Sequence, residues 1–376
     1  MKFILFVTII LLVFSLLILY IIKRFVNKLH IKDKYKKLFK LFLYINFVGV
    51  IGYIYARYNP NLANEIFFLL SLPIGILFLI FCVAIFYDIT HTILNKSTIN
   101  KERREFLKKS LDIGSFVMGS TLIAKSIHQA TFIEIEELNI QIKNLNNKYN
   151  IVQISDIHIG GLIDAKLIKT IVQKVNNLNP DVVVITGDLV DISLKYATKS
   201  LDELSSISSK YGTYFIVGNH EYIHGVDDII NEVDLRGIKV LQNESIFIGE
   251  KDTGFNLIGV YDVMGYRVKH HEPDLKKSLE NINPTRPNIL LAHQPRFIYE
   301  IDELKTNNID LVLSGHTHGG QIYPFKFLVS LVQPYIAGLY KHNSKTQIYV
   351  NKGTGYWGPP MRLGTSCEIT KINLTS

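Results

Sequence analysis

Seven side chains able to hold metal stand at five places in this sequence. Asp156 and His158 follow the apolar run of "YNIVQISDIHIGG", and Asp188 follows that of "PDVVVITGDLVD". Asn219 stands beside His220 at the end of "GTYFIVGNHEY", His293 follows "RPNILLA", and His316 and His318 follow "IDLVLS" in "SGHTHGGQIY". Any one of these alone reads as a turn residue, a helix cap or a hydrogen-bonded loop side chain. Together they are a mixed set of imidazole, carboxylate and amide donors. Such a set suits manganese, iron or zinc better than calcium, whose ligands are oxygens. Seven donors are too many for one tetrahedral ion. Two divalent ions sharing a bridging carboxylate, with water in the open positions, use them well.

The elements that must position these residues are legible around them. Each apolar run is short and continuous, as in a strand buried on both faces, and helical stretches separate the runs, so the region reads as an α/β or sandwich core. Asp156 and His158 are two apart and share a face if the strand continues through them. Ligand crevices of open sheets lie beyond the carboxyl ends of strands, so residues more than 160 positions apart can meet there. Ahead of these runs, "FIEIEELNIQI" alternates apolar and polar with the period of a strand.

In chain order, DxH (Asp156, His158), GD (Gly187, Asp188), GNHE (218–221), His293 after a strand, and GHTHGGQ (315–321) resemble the calcineurin-like metallophosphoesterases. The resemblance covers residues 133–376. It includes the weaker "GVYDVMG" at 259–265 and the closing "GTGYWGPPMRLG" at 353–364, which is similar to the tail of membrane-associated bacterial members. It implies an α/β, calcineurin-like four-layer sandwich, two mixed β-sheets flanked by helices. It also implies roles: Asp156, His158 and His318 on one metal, Asn219, His293 and His316 on the other, Asp188 between them, and His220 as the catalytic residue near the leaving group. Glu221, His224, His270 and His271 read as solvated or packing residues, with Glu221 able to orient a neighbouring ligand.

The first third is different. Residues 1–125 hold 17 Lys/Arg against 6 Asp/Glu, a net of +11, while the remainder holds 24 against 27, a net of −3. The basic excess therefore belongs to a membrane module, and the later region lacks the basic field of a nucleic-acid binder. Residues 3–22 carry no charge over about the length that crosses a hydrocarbon core, 66–87 form a second such run, and 41–56 a shorter one. The Lys/Arg-rich stretches at 23–40 and 88–109 belong on the cytoplasmic side. A segment at 111–125, preceded by the twin-arginine-like "ERREFLKKS", leaves two readings open: a fourth span, with the catalytic domain outside, or a basic amphipathic helix on the inner face. The domain limits are then 1–125 and 130–376. Cys82 and Cys367 are the sole cysteines and make neither a disulfide framework nor a cysteine zinc site.

The expectation is a membrane-anchored, multi-pass enzyme of the cell (inner) membrane with two divalent metal ions. It hydrolyses a phosphodiester or pyrophosphate bond, with no nucleic-acid partner. Its substrate is a phosphorylated, lipid-linked small molecule such as UDP-diacylglucosamine of lipid A biosynthesis. The competing readings are an exported envelope phosphodiesterase, a nuclease of the same fold, and a scaffold without activity.

Overall fold

Four long helices come first in a computed structural model that describes residues 2–57, 59, 62–250, 253–305 and 308–376. They are α1 (Lys2–Arg24), α2 (Asp33–Arg57), α3 (Asn64–Lys96) and α4 (Lys101–Thr131). The chain divides into two units, Met1–His128 with Gly358–Leu363, and Gln129–Trp357 with Gly364–Ser376. In the first unit, α1, α2 and α3 are long and apolar enough to cross a membrane, and α4 is not among the helices that qualify. The expected spans are therefore helical, but their limits are wider than the apolar runs. Helix α3 continues to Lys96 instead of stopping at Tyr87, because the charge of Asp88 is answered: it accepts from Arg24 Nε at 2.8 Å, Lys28 Nζ at 2.7 Å and the Tyr20 hydroxyl at 3.2 Å. Residues 111–125 are the middle of α4, so the arginine-rich stretch and the apolar stretch are one continuous helix. Its buried Asp112 accepts from the His30 backbone N–H at 2.6 Å and the Tyr87 hydroxyl at 2.8 Å.

The second unit contains twelve strands among the described residues. The first six are β1 (Ile133–Gln141), β2 (Tyr149–Ile154), β3 (Val182–Thr186), β4 (Thr213–Ile216), β5 (Lys239–Val240) and β6 (Glu244–Glu250). The others are β7 (Thr253–Gly259), β8 (Asn288–Leu291), β9 (Leu311–Ser314), β10 (Gly338–Lys341), β11 (Gln347–Val350) and β12 (Cys367–Thr375). One sheet runs β1-β12-β2-β3-β4-β5, parallel except where β12 meets β2; the other runs β10-β11-β9-β8-β7-β6, antiparallel at its two outer pairs. Both sheets are mixed, as the resemblance implies.

The continuous apolar runs are explained by layers on both faces of each sheet. Along β3, Val183 and Ile185 pack into one core beneath α5 (Ala165–Asn176), α6 (Leu194–Leu204) and α8 (Val226–Asp234), whereas Val182 and Val184 enter a second core shared by the two sheets. The short helix α7 (Asn219–His224) precedes α8. A third core, including Ile258, Leu290 and Val312, covers the outer face of the second sheet. The order is helices, sheet, sheet, helices: four layers. Each fully buried Val or Ile contributes about 1.5–3 kcal/mol by leaving water, so the sheets form a rigid frame for what lies beyond their strand ends.

Candidate metal centre

All seven predicted ligands lie just past the carboxyl ends of five strands. Asp156 and His158 follow β2, Asp188 follows β3 and Asn219 follows β4 in one sheet; His293 follows β8, and His316 and His318 follow β9 in the other. Two sets converge. Asp156, His158 and His318 bring one ligand atom each within 4.8 Å of the others, and Asp188, His293 and His316 do the same. Asn219 joins the second set, its Oδ1 lying 3.3 Å from His293 Nε2. Asp188 stands between: its Oδ2 is 3.2 Å from His293 Nε2, 3.9 Å from His158 Nε2 and 4.0 Å from His220 Nε2.

Asp156 and His158 do not converge by sharing a strand face. Strand β2 ends at Ile154, and both residues sit in left-handed backbone with φ of 50° and 56°. Asp188, His316 and His318 share that conformation, at 52°, 71° and 50°. Left-handed backbone costs a non-glycine residue of order 1–3 kcal/mol and gathers at functional sites. The loops are held by what surrounds them. The Asp156 carboxylate accepts from the His316 N–H at 2.9 Å and from Ser155 Oγ at 2.6 Å, while Thr354 N–H donates to the Ser155 carbonyl at 2.7 Å and Gly355 N–H to that of Asp156 at 3.1 Å. The closing glycine-rich motif thus braces the first ligand loop. Two glycines permit the approach: a Cβ on Gly218 would collide with the Asp188 carboxylate, and one on Gly315 with Ser155 Oγ and the Asp156 carboxylate.

The electrostatics tie the two sets together. Burial works against charge on Asp188, but His293, His220 and His158 outweigh it and hold its carboxyl well below the ordinary value. Burial likewise disfavours a charged His293, and Asp188 outweighs it, raising that imidazole well above its usual range. Asp156 is pushed up to about 6 by burial. His316 is pushed down to about 3, first by burial and then by the charge of His293. His316 Nδ1 is buried with no hydrogen-bond partner among the described residues, and His158 Nε2 faces His318 Nε2 at 3.0 Å. Two imidazole nitrogens meeting at that distance and an unanswered buried nitrogen are what a donor set built for cations presents.

Asp191 escapes a motif reading, and Glu221 is only partly read by one. Asp191 accepts from His220 Nδ1 at 2.7 Å and His224 Nε2 at 3.1 Å; its signal in the sequence was only a second acid three residues after Asp188. Glu221, read from the sequence as solvated or packing and able to orient a neighbouring ligand, is fully buried. Its carboxylate accepts four backbone N–H groups, those of Gly218 at 2.6 Å, Leu189 at 2.8 Å, and Asp188 and Val190 at 3.0 Å. It ties the loops after β3 and β4 together, which places Asp188 and Asn219. His270 and His271 lie apart from this centre, both on the exposed carboxylate of Asp227.

The family model of calcineurin-like phosphoesterases matches residues 149–320. An uncharacterized metallophosphoesterase of Helicobacter pylori is 36% identical over 329 residues, covering 87% of this chain and 86% of that protein. A transmembrane protein with metallophosphoesterase domain of Bos taurus is 39% identical over 239 residues, covering 61% of this chain and 53% of that protein. Among solved structures, a dimetal phosphatase from Danio rerio aligns with a TM-score of 0.37 at 12% identity, over 55% of this chain and 87% of that one. The chain belongs to the calcineurin-like phosphoesterase family. It is a metal-dependent phosphoester hydrolase whose cofactor is a pair of divalent ions, and it carries helices fit to cross a membrane.

Proposed function

We propose that Asp156, His158 and His318 hold one ion, that Asn219, His293 and His316 hold the other, that Asp188 holds both, and that the centre hydrolyses a phosphodiester or pyrophosphate bond of a lipid-linked substrate at the cell membrane. The observation that carries this reading is the position of Asp188 Oδ2, within 3.2 Å of an imidazole of one set and 3.9 Å of an imidazole of the other. When bound, the ions supply positive charge against the phosphate oxygens and lower the pKa of water toward neutrality. The protein's own residues do the rest. Asp191 takes the Nδ1 hydrogen of His220 and so turns Nε2 toward the centre. Burial disfavours the imidazolium, but Asp188 and Asp191 outweigh it and raise the His220 pKa. His220 then carries a proton to give to the leaving oxygen as its bond to phosphorus breaks.

The tether supports a lipid-linked substrate. Three helices fit to span a bilayer belong to the same chain as the centre, and a phosphate with acyl chains resides in a bilayer. The Lys/Arg bias supports a cytoplasmic 23–40 and 88–109, and because α1, α2 and α3 are the candidate spans among the described residues, we read the catalytic unit as lying on that side of a multi-pass inner-membrane protein. UDP-diacylglucosamine is one substrate of the required chemistry and side. The test is release of UMP from it by detergent-purified protein with manganese, with chelator, and in Asp188→Asn. We expect metal-dependent release, reduced about a hundredfold or more in the variant, since losing even an outer-shell partner costs 10–100-fold. Cleavage of a generic phosphodiester without UMP release would retain the enzyme and discard this substrate. Full metal content and activity in Asp188→Asn would discard the shared-carboxylate assignment.

A further inference from the structure

Directly after the GHTHGGQ motif the chain leaves the core. Between buried Ile322 and buried Gln333, the large apolar side chains of Tyr323, Phe325, Phe327, Leu328, Leu331 and Val332 are all exposed, Leu331 at 78% and Val332 at 66%. Scattered exposed apolar residues need no explanation, but so many in one short segment, which includes the helical turn Lys326–Val329, call for one. From 321 to 341 there is no Asp or Glu, and Lys326 and Lys341 are exposed. The loop's feet are fixed. Gln333 Oε1 accepts from the Arg296 N–H at 3.0 Å, Gln333 Nε2 donates to Gln294 Oε1 at 3.3 Å, and Thr317, between His316 and His318, donates its hydroxyl to the Ile336 carbonyl at 2.5 Å. Gln321 pairs with the Trp357 backbone at 2.8 and 3.0 Å, and the half-exposed Trp357 ring lies 5.9 Å from that of His220. This loop is therefore a rigidly footed, apolar-tipped margin of the metal centre.

We propose that residues 323–332 are a lip that inserts into the surface of a bilayer containing acidic phospholipid and so presents membrane-borne phosphoesters to the metal centre. The proposal deepens the lipid-linked reading above and rests on it for its catalytic half. A bilayer is the occupant because the same chain carries helices fit to cross one, so every copy has that surface within reach. The sequence also passes from Trp357 directly into Gly358–Leu363, which belong to the unit of those helices. Aromatic and aliphatic side chains with lysines and no acid are the composition of interfacial segments, the lysines reaching back to anionic headgroups.

The chain has a single tryptophan, which makes the test direct. In full-length Trp357→Phe carrying Leu331→Trp, reconstituted into vesicles of phosphatidylcholine and phosphatidylglycerol, the fluorophore sits on the lip. Quenching by lipids brominated on their acyl chains, with shielding from iodide in the buffer, is expected. Iodide quenching without bromine quenching overturns insertion. Shielding from both overturns it too, because a protein surface or a second copy then covers the patch. In an otherwise unaltered chain, Leu331→Glu with Val332→Glu is expected to lower hydrolysis of a vesicle-borne phosphodiester about tenfold relative to soluble bis(p-nitrophenyl) phosphate; an unchanged ratio overturns presentation. The fluorescence needs no activity, so failure of the unaltered protein to cleave either ester counts against the hydrolase reading and leaves insertion separately decided.

Discussion

Glu221 shows how a residue outside the proposed ligand set can fix the loops that carry it. Burial, and then the charge of Asp188, push its pKa up to about 7, yet its two oxygens are the acceptors for four N–H groups of the ligand loops. Glu221→Gln puts an amide NH2 where one oxygen receives two of them. We expect a loss of about 1–3 kcal/mol in thermal unfolding, the cost of leaving buried donors unanswered, together with weaker metal retention. Asp188 and His293 make a pH prediction. Because His293 is raised well above its usual value beside Asp188, a metal held there as proposed would have to displace a proton from it. Metal affinity should therefore fall as pH falls, and a chelator titration repeated from pH 8 downward should strip the ions at progressively lower chelator concentration. At this scale the ligand types were legible, since an imidazole or carboxylate announces its chemistry in any context. The contact of Asp191 with His220 was not, and for Glu221 only the orienting role was, because the partners depend on which N–H groups and which ring nitrogen the folded loops turn toward them.

The strands behave as arms of fixed length, and the candidate ligands are their tips. Their number, positions and burial were readable because double-sided burial writes itself as an uninterrupted apolar run. The left-handed backbone of Asp156, His158, Asp188, His316 and His318 was not, since nothing in a strand's periodicity records how the chain turns after the strand ends. Helix limits in the membrane unit are not the same quantity as the apolar runs: such runs mark where lipid contact is tolerated, whereas α3 continues past its run with Arg24 and Lys28 paired to Asp88. The glycines at the tips give the sharpest test. Gly218→Ala forces a methyl group against the Asp188 carboxylate. It should release metal and abolish turnover while far-UV circular dichroism stays that of the unaltered protein; retained metal would mean that the loop after β4 yields more readily than its hydrogen bonds with Glu221 imply.

Across the whole molecule, charge and hydropathy set a basic, apolar first third apart from a nearly neutral remainder, and the structure divides into Met1–His128 with Gly358–Leu363, and Gln129–Trp357 with Gly364–Ser376. The return of Gly358–Leu363 to the first unit was not evident, because a six-residue segment with buried Met361 and Arg362 carries no periodic signal. Orientation gives a prediction at this scale. A cysteine introduced as Leu62→Cys, between the second and third spans, should react with an impermeant maleimide applied to intact cells once the outer face is accessible, whereas one introduced as Lys32→Cys should react only after lysis. The reverse pattern would move the catalytic unit to the opposite side.

The position of β12 has a consequence for how the protein is made. It lies between β1 and β2, in register with Ile133–Gln141 on one side and with β2 on the other. Yet it leaves the ribosome about 230 residues after β1, a delay of roughly 10–50 s at ordinary rates of synthesis. For that interval β1 and β2 are two open sheet edges awaiting the same absent neighbour, while the spanning helices have already emerged. The nascent chain is thus a membrane-tethered, unfinished sheet, in need of shelter from edge-to-edge pairing with other copies until its central strand arrives.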